Sequence, residues 1–127
     1  MERGIEIFAA VQFLIIGLSH LLQPRAWVEF FIWLRGKGHS GVFANGFLSL
    51  IFGSFVVAFH NVWTGLAMVL TIIGWAQVIK AFTSFVVPQL SMRSLQRVSL
   101  DRANEFVYAG VVFLVLSALM AYVALAR

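Results

Sequence analysis

The chain has 127 residues, room for one domain, and 61% of them are hydrophobic against 11% charged. Soluble domains sit nearer ~45–50% apolar, and a fold this small cannot hide such a surplus from water, so a water-soluble globular fold is excluded. The lack of cysteine removes disulfides, thiolate metal sites and thiol redox chemistry, and the net charge of +4 gains meaning only from where the cations stand.

The first apolar stretch runs over 4–22. Its start, Met1-Glu2-Arg3-Gly4, has no basic n-region, and Ile5–Leu22 is long for a signal-peptide h-region, so it reads as a span. Glu6 lies near the start of this span, within reach of headgroups or water, and His20 lies at its far end. Gln23-Pro24 closes the span, because proline lacks the amide that a continuing helix needs and disfavours helix in the residue before it.

Residues 24–36 are too short and too charged to cross a bilayer. Proline suits a first helical position, and Trp27, Phe30, Phe31 and Leu34 follow the i, i+3, i+4, i+7 spacing of one helix face. Trp27 and Trp33, with Arg25, Arg35 and Lys37 nearby, suit the headgroup boundary, so this segment reads as an in-plane amphipathic helix. Three glycines within Gly36–Gly41 read as a flexible connector.

Two long apolar runs follow, Val42–Phe59 and Val62–Ile79, with no ionisable group in either. As helix, each covers roughly 27 Å, close to the ~30 Å hydrocarbon core of a bilayer. They meet at His60-Asn61, which makes a transmembrane hairpin with spans over 42–60 and 62–80. Asn61 can take the left-handed conformation that ends helices, and Trp63 is an anchor at the boundary. The third span can continue past Lys80, whose long stem snorkels, until Pro88 stops it.

Residues 88–100 turn polar and basic, with Arg93 and Arg97 on one face of a second in-plane segment. Ser99 is suited to cap the last helix, with Asp101 in its first turn. The fourth span covers 104–126, uncharged after Glu105, and Arg127 follows it in the interface.

The fold expected is therefore all-α: a bundle of four transmembrane helices with in-plane amphipathic segments in loops one and three. Those two loops carry seven basic residues, while the opposite side has only Arg3 and Arg127. The positive-inside bias places the loops in the cytoplasm and both termini outside, across an inner membrane. Helices in lipid associate through close packing at small residues, and each span offers some: Ala10 and Gly17; Gly46, Ser49 and Gly53; Ala67, Thr71 and Gly74; Gly110, Ser117, Ala121 and Ala124.

Five polar residues are candidates for an ion or ligand site. His60 is a proton-responsive group on the same side as Glu6, with Asn61 beside it. His20 and Lys80, near the cytoplasmic ends of their spans, are either snorkelling boundary residues or part of an anion or lipid-headgroup pocket with Arg25 or Arg93. No metal site is expected, because His20, His39 and His60 lack ligand spacing. No nucleophile, base or carboxylate pair supports catalysis. Gly36–Gly41 lacks the spacing of a phosphate-binding loop, and no soluble module carries the basic residues toward nucleic acid.

Phe13-x-x-x-Gly17-x-x-His20-x-x-x-Pro24 in the first span, with Gly74-Trp75 and Lys80 in the third, resembles the small bacterial membrane proteins of the DoxX type. His60-Asn61-Val62-Trp63 is similar to a His-Asn-x-Trp found before the third span in uncharacterised bacterial proteins. The resemblance implies the four-helix layout and, since some DoxX-type proteins serve quinone-linked oxidoreductases, an accessory role. The residues themselves point to a non-enzymatic accessory subunit or self-associating scaffold, with no cofactor. Its expected partners are anionic lipid headgroups and other copies of itself or a larger complex. Two alternatives remain open: an oligomeric transporter or channel for small ions or solutes, and a membrane subunit that binds quinone or lipid.

Overall fold

A computed structural model describes residues 1–127. Six α-helices make up the chain: α1 (Glu2–Leu22), α2 (Pro24–Gly36), α3 (His39–Phe59), α4 (Met68–Val86), α5 (Pro88–Gln96) and α6 (Asn104–Ala126). There is no strand, and one 3-10 turn, Leu100–Arg102, precedes α6. The helices α1, α3, α4 and α6 are long and apolar enough to cross a membrane. Only 27 residues are buried, and large apolar side chains such as Ile15, Leu48, Ile79 and Val115 face outward. Water is the wrong solvent for that surface, and hydrocarbon the right one. The protein is a multi-pass membrane protein.

The four spans form two tight pairs. In the first, α1 lies antiparallel to α6, with Gly17 against Gly110; a methyl group on Gly17 would come within 3.1 Å of the Gly110 carbonyl, and one on Gly110 within 2.8 Å of the Gly17 carbonyl. Ser117 Oγ donates to the Ala10 carbonyl across this seam at 2.7 Å. The second pair sets α3 against α4 with Gly53 facing Gly74, and Gly46, about two turns away along α3, facing Ser84. Between the pairs, bulky side chains meet instead of backbones: Ile5, Phe13, Val56, Leu70 and Met120 form the shared core, and Phe8 packs on Phe52 and Phe55 at 6.0 and 5.3 Å between ring centroids.

Small residues thus seal each pair, as expected for helices in lipid. The in-plane helices then join the pairs at the end away from the termini. Arg35 of α2 donates through Nη1 to the carbonyls of Leu95, Gln96 and Val98 at 3.4, 3.4 and 3.0 Å. It is a cation set on the negative end of α5, so Arg35 serves as a helix cap and not as a headgroup anchor.

These contacts have a regularity. A shift of 64 residues carries Pro24 to Pro88 and Gly46 to Gly110. The same shift carries the neighbours of Gly46, Ser84 and Phe85, onto the neighbours of Gly110, His20 and Leu21. Gly53, which faces Gly74, becomes Ser117, which bonds Ala10. The chain therefore packs as two copies of one span, in-plane helix, span unit. Each long helix takes its partner from the other copy.

Several boundaries differ from the sequence reading. The third span, expected over 62–80, begins at Met68, so the link after α3 is eight residues long, His60–Ala67. The helix continues past Lys80 to Val86, stopping before Pro88 as its proline requires. Thr71 causes the delay: its hydroxyl accepts the Val62 amide at 3.2 Å and donates to the Val62 carbonyl at 2.8 Å, occupying groups that a helix would use. Gly65, at φ +65°, supplies the reversal; Asn61 does not take the left-handed conformation, and its side chain instead accepts the Trp63 indole at 2.7 Å. The glycine connector shrinks to Lys37-Gly38, because α3 begins at His39 and presses Gly41 onto the backbone of Leu34. Ser99 makes no side-chain cap and sits before the 3-10 turn, so α6 starts later, at Asn104.

Candidate functional site

The two ends of the bundle gather the polar residues into separate sites. At the end bearing both termini, Glu6 and His60 are fully buried and joined, with His60 Nε2 2.8 Å from Glu6 Oε2. Glu6 comes from the second turn of α1, and His60 directly follows α3, so this bond links the two helix pairs. On the far side of the imidazole, Nδ1 lies 3.0 Å from Thr71 Oγ1, in the first turn of α4. On the far side of the carboxylate, Arg127, just past α6, donates through Nε to Oε1 at 2.6 Å and through an Nη to Oε2 at 2.8 Å. Its other Nη stands 3.4 Å from Glu2. The paired bonds to Glu6 hold the Arg127 guanidinium above its ordinary pKa, and it stays a fixed cation.

Hydrogen-bond counting fixes most of the protons. Thr71 has one proton, and its shortest acceptor is the Val62 carbonyl. Nδ1 of His60 must then donate to Thr71, since the hydroxyl has only lone pairs left to offer. One further proton lies between Nε2 and Oε2, held either as imidazolium against carboxylate or as imidazole against carboxylic acid. The pair is neutral in both forms, and Arg127 balances Glu2. No polar side-chain atom buried in this cluster lacks a partner, as a low-dielectric site requires.

The sequence reading placed His60 near Glu6, and the structure brings them together. It also placed Glu6 within reach of water, whereas Glu6 is sealed beneath Arg127, and it did not include Thr71, Arg127 or Glu2. Arg127 is drawn from the interface into an ion pair because a buried carboxylate needs a cation. Asn61 stands apart, exposed and bonded to Trp63.

At the opposite end the arrangement is hollow. A cavity of about 500 Å³ lies among α2, α3, α4, α5 and α6. Its polar lining is Asn45, Lys80, Thr83, Ser84, Ser91 and Ser94, and Phe31, Leu95 and Phe106 supply apolar wall. Ser84 and Ser91 share a hydrogen bond at 3.1 Å. Lys80 makes no ion pair and its ammonium no hydrogen bond, and the Asn45 amide is equally unengaged within the chain. Six residues before the end of α4, or about 9 Å along the axis, Lys80 is a lone cation within a span, a costly position unless an anion or water meets it.

His20 does not join Lys80. It is buried against the α1–α6 seam, with Nδ1 2.8 Å from the Ile16 carbonyl and its ring stacked on Trp27 at 4.2 Å and on Phe106 at 5.8 Å. The expected snorkelling is absent because the rings of Trp27 and Phe106 enclose it. Trp27 itself donates to Ser19 at 2.7 Å and is tied to the bundle, not to headgroups. Trp33 and Trp63 are exposed as anchors should be, with Lys37 over the Trp33 ring at 5.4 Å. Arg25 and Arg93 are exposed and do not line the cavity, and Arg97 makes a loose exposed pair with Glu105 at 3.7 Å.

Compared with protein-family models, curated proteins and solved structures, the chain matches none.

Proposed function

We propose that this is a non-catalytic membrane protein that holds an anionic amphiphile, its headgroup in the Lys80 cavity and its tail along the apolar wall. The observation that carries the reading is Lys80, an intramembrane ammonium with no partner of its own beside a cavity set with hydroxyls and an amide. Intramembrane cations without an internal partner mark ligand paths, and a few convergent polar groups in an apolar hollow suit a small ligand. The positive-inside asymmetry of loops one and three supports a cytoplasmic position for this cavity, where anionic lipids and an inner-membrane complex would meet it. An accessory role beside a larger membrane assembly, as the DoxX-type resemblance implies, agrees with a subunit that binds lipid or quinone and lacks a catalytic group.

The test is native mass spectrometry of protein transferred from mild detergent into nanodiscs holding equal parts dioleoyl phosphatidylglycerol and dioleoyl phosphatidylcholine. One phosphatidylglycerol should remain bound per chain, and Lys80→Ala should release it with helicity unchanged. Equal retention of both lipids, or retention by Lys80→Ala, overturns the reading.

A second reading, a proton-coupled carrier of small solutes, draws on one observation: the buried Glu6–His60 pair, which shares a proton between the helix pairs. Proteoliposomes that take up no more of a panel of small anions under an imposed pH gradient than empty vesicles do would remove it.

A further inference from the structure

The cavity is built on the α4–α5 corner of one copy of the repeated unit, with Phe31 and Asn45 reaching in from the other copy, and the same shift of 64 residues finds its counterpart over α1 and α2. Asn45, Lys80, Ser84, Ser91 and Ser94 carry over to Ala109, Ile16, His20, Trp27 and Phe30. The contact between the first helix and its in-plane helix survives the exchange but changes character. Ser84 meets Ser91 through a hydrogen bond of 3.1 Å, whereas His20 meets Trp27 through stacked rings 4.2 Å apart and inclined by 19°. Trp27 then packs edge-on to Phe30 at 5.7 Å. Where one copy has two small hydroxyls and a void, the other has three aromatic rings.

A second observation points the same way. A shallower hollow of about 300 Å³ lies over α1 and α2, lined by Ser19, Gln23, Ala26, Trp27 and Phe30. Four of these five occupy the positions equivalent to Thr83, Leu90, Ser91 and Ser94 of the large cavity. These two hollows therefore lie at the same place in the repeated unit, one deep and polar, the other shallow over a ring stack. Charge follows the same division, because Lys80 and Asn45 are replaced by Ile16 and Ala109.

We propose that the repeat creates two equivalent ligand positions and that His20 and Trp27 close the second, so that the chain holds one anionic amphiphile and not two. Which half binds is decided by residue size at the 20/84 and 27/91 positions and by charge at 16/80. This inference rests on the reading of the Lys80 cavity as a ligand site, and its test separates the two.

The first arm needs no ligand. The chain has no cysteine, so Ser84→Cys/Ser91→Cys and His20→Cys/Trp27→Cys introduce one pair each. Both pairs should close to a disulfide on mild oxidation, read as a loss of two hydrogens in intact mass. Closure of the first pair but not the second, in protein of unchanged helicity, overturns the equivalence. The second arm uses dioleoyl phosphatidylglycerol in the nanodiscs described above. Ser84→His/Ser91→Trp should bind none, and Ile16→Lys/His20→Ser/Trp27→Ser should bind two per chain. One lipid retained by the filled variant, or one only on a folded opened variant, refutes the plug. Absence of bound lipid from the wild type, with both disulfides formed, refutes the ligand reading and the plug while the repeat stands.

Discussion

The two ends of this bundle treat charge in opposite ways. Where the termini meet, every buried polar atom is engaged: Glu6 receives Arg127 and meets His60, which reaches Thr71, and the side-chain charges cancel. Where the in-plane helices meet, a cation projects beside a cavity with no counter-charge supplied by the chain. Low-dielectric surroundings make a completed network rigid and an uncompleted one costly. The first end therefore clasps the two helix pairs together, and the second leaves Lys80 beside a hollow lined with hydroxyls and an amide. The contrast teaches that ionisable residues within a span divide by whether the chain itself supplies their partners, as it does for Glu6 and does not for Lys80.

That contrast can be broken by measurement, and the largest effect belongs to the clasp. Glu6→Ala strands His60 and Arg127, and loss of one partner from a buried ion pair costs about 3–5 kcal/mol. Thermal unfolding in mild detergent, followed by helicity, should shift strongly downward, while Lys80→Met should leave the midpoint unchanged or raise it. Equal losses in both variants would abolish the distinction between the ends. A second, smaller effect sharpens the comparison of the two pairs. Gly46→Val and Gly110→Val should each destabilise by about 1–3 kcal/mol, as extra atoms are forced into closed seams. Strongly unequal losses would argue against equivalent packing.

Arg35→Ala should do less. Removing its bonds to the end of α5 costs about 1 kcal/mol, visible as faster amide exchange in Pro88–Val98 with α1 and α6 unaffected. Protection that stays intact there would show that α5 is held by its apolar contacts alone. Smallest of all, Arg97→Ala breaks only an exposed pair, and no change in unfolding midpoint is expected.

The long spans were legible because composition alone dictates them: runs of about twenty apolar residues have one suitable solvent. Pro24 and Pro88 marked the starts of both in-plane helices correctly. The start of the third span was not legible, since the apolar run continues through Val62 and Trp63, and the bonds from Thr71 to Val62 with the reversal at Gly65 keep this stretch out of the helix. Thr71 reads in the sequence as a small packing residue, yet its hydroxyl serves the cluster. Arg127 could have been found by asking which cation answers a carboxylate inside a span, because only Arg3 and Arg127 share its side. The cavity was hidden for another reason. Lys80 was visible in the sequence, but the neighbouring serines gain meaning only when α5 folds back over α4. The repeat leaves few identities, among them Ile15 with Ile79 and Leu50 with Leu114, so it is recognised through contacts.

Because every long rod finds its seam with a rod from the opposite half, neither half can complete its packing by itself. A break anywhere in Asn61–Leu66 would yield two three-helix fragments, each carrying glycine grooves that only the other fits. Such fragments, produced together, should recombine into the native particle, and produced singly should be degraded or double up on themselves. The topology is that of an interlocked dimer whose subunits have been joined end to end, which leaves each free to diverge while the other keeps the shape.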